Sequence, residues 1–72
     1  MKIEGTIVYV SLGTGFWGIT TDGGKKFIPT NLPEGMKKDG LDVLVKARSV
    51  SGQTGMHMWG DYIRIMWIGK IN

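Results

Sequence analysis

From Ile3 to Leu12 the chain is rich in β-branched and aromatic residues, with Ile7 and Tyr9 on one parity and Thr6, Val8 and Val10 on the other. Such patterning predicts a long first strand, partly covered on both faces. Gly13-Thr14-Gly15 interrupts it, and Phe16 to Thr21 predicts a second strand that ends at Asp22-Gly23-Gly24. Asp-Gly between apolar runs signals a hairpin, because a tight turn needs positive φ and glycine supplies it without steric cost. Lys25 to Ile28 makes a short third strand, stopped by Pro29, which has no N–H to give a ladder. Leu41 to Val50 alternates cleanly: Val43, Val45 and Ala47 face a core, and Asp42, Leu44, Lys46 and Arg48 face water. Tyr62 to Ile68 is the fifth strand, entered through Trp59-Gly60-Asp61. Both of its faces are apolar apart from Arg64, which shares the parity of Tyr62 and Met66, so alternation does not choose its inner side.

Between strands three and four, Asn31-Leu32-Pro33-Glu34-Gly35-Met36 offers an Asn cap ahead of a proline, while Gly35 and Gly40 confine any helix to about one turn. Five short strands without an amphipathic helix would leave edges and apolar surface exposed as an open sheet, and curling into a barrel removes both problems. The expected fold is therefore all-β: a five-stranded antiparallel OB-like barrel with a short helical turn between strands three and four. A long first strand, a tight first loop, a hairpin and a variable loop between strands four and five fit that type. A Sm-like or SH3-like barrel is the alternative.

Composition narrows the function. With 72 residues, 1–72 forms a single domain, too small for a second core or a lidded cleft. There is no Cys, which excludes disulfides, thiolate zinc sites and thiol nucleophiles. Nine Lys and Arg against six Asp and Glu give a net charge of +3, a modest bias toward anionic partners. No signal-like or membrane-spanning apolar run occurs, so a cytoplasmic location and no membrane partner are expected.

Gly5-Thr6-Ile7-Val8-Tyr9-Val10 followed by Gly15-Phe16-Trp17-Gly18-Ile19 and Asp22-Gly23-Gly24-Lys25 resembles the start of the cold-shock domain family. The resemblance covers about the first 28 residues and implies an exposed aromatic platform for single-stranded bases. Tyr9 stands where a stacking Trp sits in that family, Phe16 at the first platform aromatic and Phe27 at a third. Gly18 and Trp17 replace the family's Phe and Gly, and Ile28-Pro29-Thr30 replaces its aromatic-His-aromatic end, so half of the platform is missing. Across nearly the whole chain, Asn31-Leu32-Pro33-Glu34, Asp39-Gly40-Leu41 and His57-Met58-Trp59-Gly60, with the glycine-aromatic second strand, resemble a group of short bacterial and archaeal proteins or lipoprotein-borne domains, which implies a compact β domain, in some members outside the cytoplasm, and nothing catalytic.

Single-stranded nucleic-acid binding needs flat rings for bases and cations for phosphates. Tyr9, Phe16 and Phe27 are the candidate rings, and Lys46, Arg48 and Arg64 the candidate phosphate contacts. Arg64 has a second reading as the partner of Asp61 or Asp42. The competing reading is that the aromatics fill a small core and the lysines keep strands soluble. Trp17, Trp59, Trp67 and Met66 exceed what a small core hides, which leaves a protein-interaction surface open. Met56-His57-Met58-Trp59 gathers soft ligands of the kind that bind copper(I), although extended backbone would point His57 away from both Met. No paired carboxylates, second His or nucleophile elbow is present, and neither glycine cluster opens a helix as a phosphate loop must, so no catalysis and no cofactor are expected.

Overall fold

The computed structural model describes residues 1–50 and 59–71. It contains β1 (Lys2–Val10), β2 (Phe16–Thr20), β3 (Lys26–Pro29), a 3₁₀ turn (Glu34–Met36), β4 (Asp42–Ser49) and β5 (Asp61–Lys70). The strands close into a barrel in the order β1-β2-β3-β5-β4, with β4 returning to β1. The expected OB-like all-β barrel and the short helical turn between strands three and four are thus present.

One detail differs from the antiparallel expectation. β3 and β5 run parallel, with Phe27, Ile28 and Pro29 opposite Asp61, Tyr62 and Ile63. The reason is geometric: strand direction cannot alternate all the way around a closed ring of five. The parallel seam falls where no hairpin joins the neighbours, because a parallel pair needs a crossover connection.

The core is built from one parity of β1, β2 and β4, whereas β3 buries both Phe27 and Ile28. Ile3 and Ile7 of β1, Ile19 of β2, Phe27 of β3, Val43, Val45 and Ala47 of β4, and Ile63 and Ile65 of β5 pack together, with Trp17, Leu32, Leu41 and Ile68 against them. Thr6 sits at the handover of β1 between its two neighbours, opposite Thr20 of β2 and Asp42 of β4. At the adjacent Gly5 a side chain would come within 2.6 Å of the Thr20 carbonyl oxygen, so the close approach of β1 and β2 requires glycine there.

Asn31 does not cap the turn. The residue before the turn is Pro33, and no side chain caps it. Instead Asn31 Nδ2 donates to the Ile65 carbonyl at 3.0 Å while Ile65 N–H donates to Asn31 Oδ1 at 2.8 Å. With Thr30 N–H donating to the Ile63 carbonyl, the amide prolongs the β3–β5 ladder past the point where Pro29 ends the strand.

β5 departs from simple alternation. Ala47 of β4 pairs with Ile65, and the neighbouring Lys46 pairs with Trp67, so Met66 is an extra residue, a β-bulge. Ile63 and Ile65 therefore point inward before the bulge and Ile68 after it, while Met66 and Trp67 are both exposed, at 59% and 51%. Among the described residues no helix is long and apolar enough to cross a membrane.

Candidate nucleic-acid interface

The residues singled out from the sequence fall in three places. Lys46 and Arg48 point outward from β4, and Arg64 points outward from β5, all exposed. Arg48 and Arg64 are direct cross-strand partners. Lys2 on β1 lies beside Lys46, and Lys46 lies beside Trp67, making one row across three strands. The next row is Glu4, Leu44 and Gly69. Four cations thus share the outer face of β1, β4 and β5 with two acids, Glu4 and Asp42, which lie toward its Thr6 end. The pairing of Arg64 with Asp61 or Asp42 does not form; the ion pair among the described residues is Lys37 with Glu34, at 2.7 Å.

Tyr9 lies at the other end of the barrel. It is seven positions along β1 from Lys2, which at the rise of a strand is about 23 Å. Half exposed at 49%, it meets Trp17 edge to face at 5.2 Å, beyond the core layer of Ile7 and Ile19. Its N–H donates to the Asp39 carboxylate.

Phe16 is half-buried on the outer side of β2 and meets Trp59 edge to face at 5.7 Å. Trp59 fills the space over Gly18, where a side chain would lie 2.4 Å from the indole, and Lys26 Nζ sits 5.3 Å from its ring centre. Phe27, expected as a platform ring, is instead part of the core: only 7% exposed, it offers no face to a base. Phe27 and Ile28 are both buried, with Phe27 next to Ile19 and the exposed Lys26 next to Thr20.

The expected rings and the expected cations therefore do not converge. The ring that does accompany the cations is Trp67, expected from the sequence only as part of a protein-interaction surface; the bulge sets its side. Its indole lies along β5 onto Gly69, where a side chain would sit 2.7 Å from Cη2 and 3.0 Å from Cζ2. Lys46 Nζ stands over the ring, 6.0 Å from its centre.

Three acids lie elsewhere or at the rim: Glu4, Asp22 and Asp42 line a shallow groove with Gly5, Thr6 and Ile71, and Thr6 Oγ1 donates to Asp42 Oδ1 at 2.8 Å. Among the described residues no group of three or more His, Cys, Asp or Glu is placed to hold a metal ion. Met56, His57 and Met58 of the soft-ligand motif lie outside the described residues. Comparison with known protein families finds no match to this chain, and comparison with curated proteins finds none either.

Proposed function

We propose that this barrel is a non-enzymatic module that binds single-stranded nucleic acid, weakly and with little regard to sequence, through the outer face of β4 and β5. The observation that carries the reading is the Arg48–Arg64 pair. Like charges directly opposite each other on a sheet destabilise it, and neither guanidinium has a carboxylate partner among the described residues. A phosphate chain resolves that repulsion by accepting from both, and Lys46 and Lys2 extend the track along the same face. The cold-shock resemblance points to the same ligand class but to a different surface, and Tyr9 and Phe16 are not part of the interface proposed here.

The test is fluorescence anisotropy with a labelled mixed-sequence single-stranded oligonucleotide, titrated at several salt concentrations. Affinity is expected to fall steeply as salt rises, and Arg64→Gln to weaken binding of all sequences alike while reducing the log–log salt slope by about 0.7, the share of one phosphate on a single strand. Absence of binding at low salt, together with a salt-insensitive dimer in sedimentation, would assign the face to protein contacts through Trp67 and Met66 instead.

A further inference from the structure

Phosphate contacts on this face do not by themselves require a base. Trp67 bears on that directly. One side of its indole is seated on the backbone of Gly69, so closely that even a methyl group there would collide with it. Half of the side chain remains open to solvent. A large ring packed on a glycine and half open to solvent can serve as a stacking surface, provided nothing bulky covers it. What stands over it is the Lys46 ammonium, 6.0 Å from the ring centre and on a flexible stem. A cation in that position is held only weakly at an exposed site and is free to move to a phosphate.

Lys46 and Lys2 lie in the same row as Trp67, and Arg48 and Arg64 lie toward the opposite end of β4 from Gly69. The bulge at Met66 puts the ring and Arg64 on the same outer face although they are three positions apart in sequence, a spacing that would place them on opposite faces of a regular strand.

We infer that Trp67, seated on Gly69, is a slot for a single unpaired base, with the phosphate on one side of that base taken by Lys46 and Lys2 and the other by Arg48 and Arg64. The inference rests on the nucleic-acid reading and adds to it a requirement for a base. Duplexes keep their bases stacked inside and reach only the cations. Lys46 covers the ring in the free protein and transfers to the phosphate as the base arrives.

The experiment compares three probes of equal length: oligothymidylate, the corresponding single strand made entirely of abasic sites, and a duplex. Wild-type protein is expected to bind oligothymidylate about tenfold or more tighter than the abasic strand, the increment of one base–aromatic stack. Trp67→Ala is expected to erase that difference while leaving abasic and duplex affinities within twofold. Trp67→Phe is expected to restore part of it. Gly69→Ala retains the indole but removes its seat, and is expected to lose most of the preference with the amide spectrum of the barrel otherwise preserved. Equal binding of oligothymidylate and abasic strand by the wild type, or a preference that survives Trp67→Ala, overturns the slot and leaves the phosphate-binding reading standing. Failure of all three probes to bind overturns both.

Discussion

A short amide can do the work of a strand when it is placed against an orphan stretch of ladder. Pro29 ends β3, yet β5 continues, and the backbone N–H and carbonyl of Ile65 on that side are partly buried. Asn31 presents an acceptor and a donor at the spacing a backbone would, and satisfies both groups. Removing it leaves two backbone groups without their partner, so Asn31→Ala is expected to lower stability by about 1–3 kcal/mol in urea unfolding, far more than most exposed substitutions. Asn31→Asp is the sharper comparison: it still accepts from Ile65 N–H but sets a carboxylate against the Ile65 carbonyl, and it should recover little or none of the loss. If Asn31→Ala unfolds at the wild-type denaturant concentration, the amide is incidental to the seam. Nothing local in the sequence announces this role. Asn ahead of a proline at the mouth of a short turn reads as a cap, because capping is decided by neighbours, whereas pairing with a residue 34 positions away is decided by how the barrel closes.

At the scale of the strand, legibility depended on whether alternation was unbroken. β4 carries Val43, Val45 and Ala47 inward and Lys46 and Arg48 outward, as period-two patterning requires for a strand with one wet face. β5 has apolar residues on both sides of its second half, so the pattern held no preference, and the bulge at Met66 then exchanged the two faces partway along. An uninterrupted strand with Ile63 and Ile65 inward would send Trp67 into the core and Ile68 to the surface. The bulged strand does the opposite, and substitution by lysine separates the two cases. Ile68→Lys is expected to cost more than about 2 kcal/mol, because it drives an ammonium toward the core. Trp67→Lys is expected to cost about 1 kcal/mol or less, because it changes an outward position. The reverse order in thermal or urea unfolding would mean that β5 is not bulged at Met66. The same exchange explains why the candidate site was only half legible: Lys46 and Arg48 lie on β4, whose parity is clear, while Arg64 and the ring that accompanies the cations lie on β5, whose inner side alternation does not choose.

Across the whole molecule, an excess of only three positive charges conceals an uneven distribution. Asp22 and Asp42 share one groove with Glu4 at its rim, while Lys2, Lys46, Arg48 and Arg64 gather over β1, β4 and β5. Net charge could not have located this face; strand order does, since it brings β5 next to β4 and sets Arg64 across from Arg48. A face arranged for stability alone would place opposite charges across that pair, which is favourable by about 0.2–1 kcal/mol, where like charges oppose folding. Arg64→Glu makes that change. It is expected to raise unfolding stability by several tenths of a kcal/mol at low salt, with the gain shrinking as salt screens the pair. In the same protein, single-stranded oligonucleotide binding should drop well below that of Arg64→Gln, because a phosphate clamp has become a carboxylate facing phosphate. A gain in stability with unchanged binding would make the arginine pair a bystander to the ligand. A loss of stability would mean that Arg64 is held by a favourable partner and that the repulsion supporting the functional reading is not there. Only a variant that is at once better folded and worse at binding identifies the pair as a place where stability was given up for an anionic ligand.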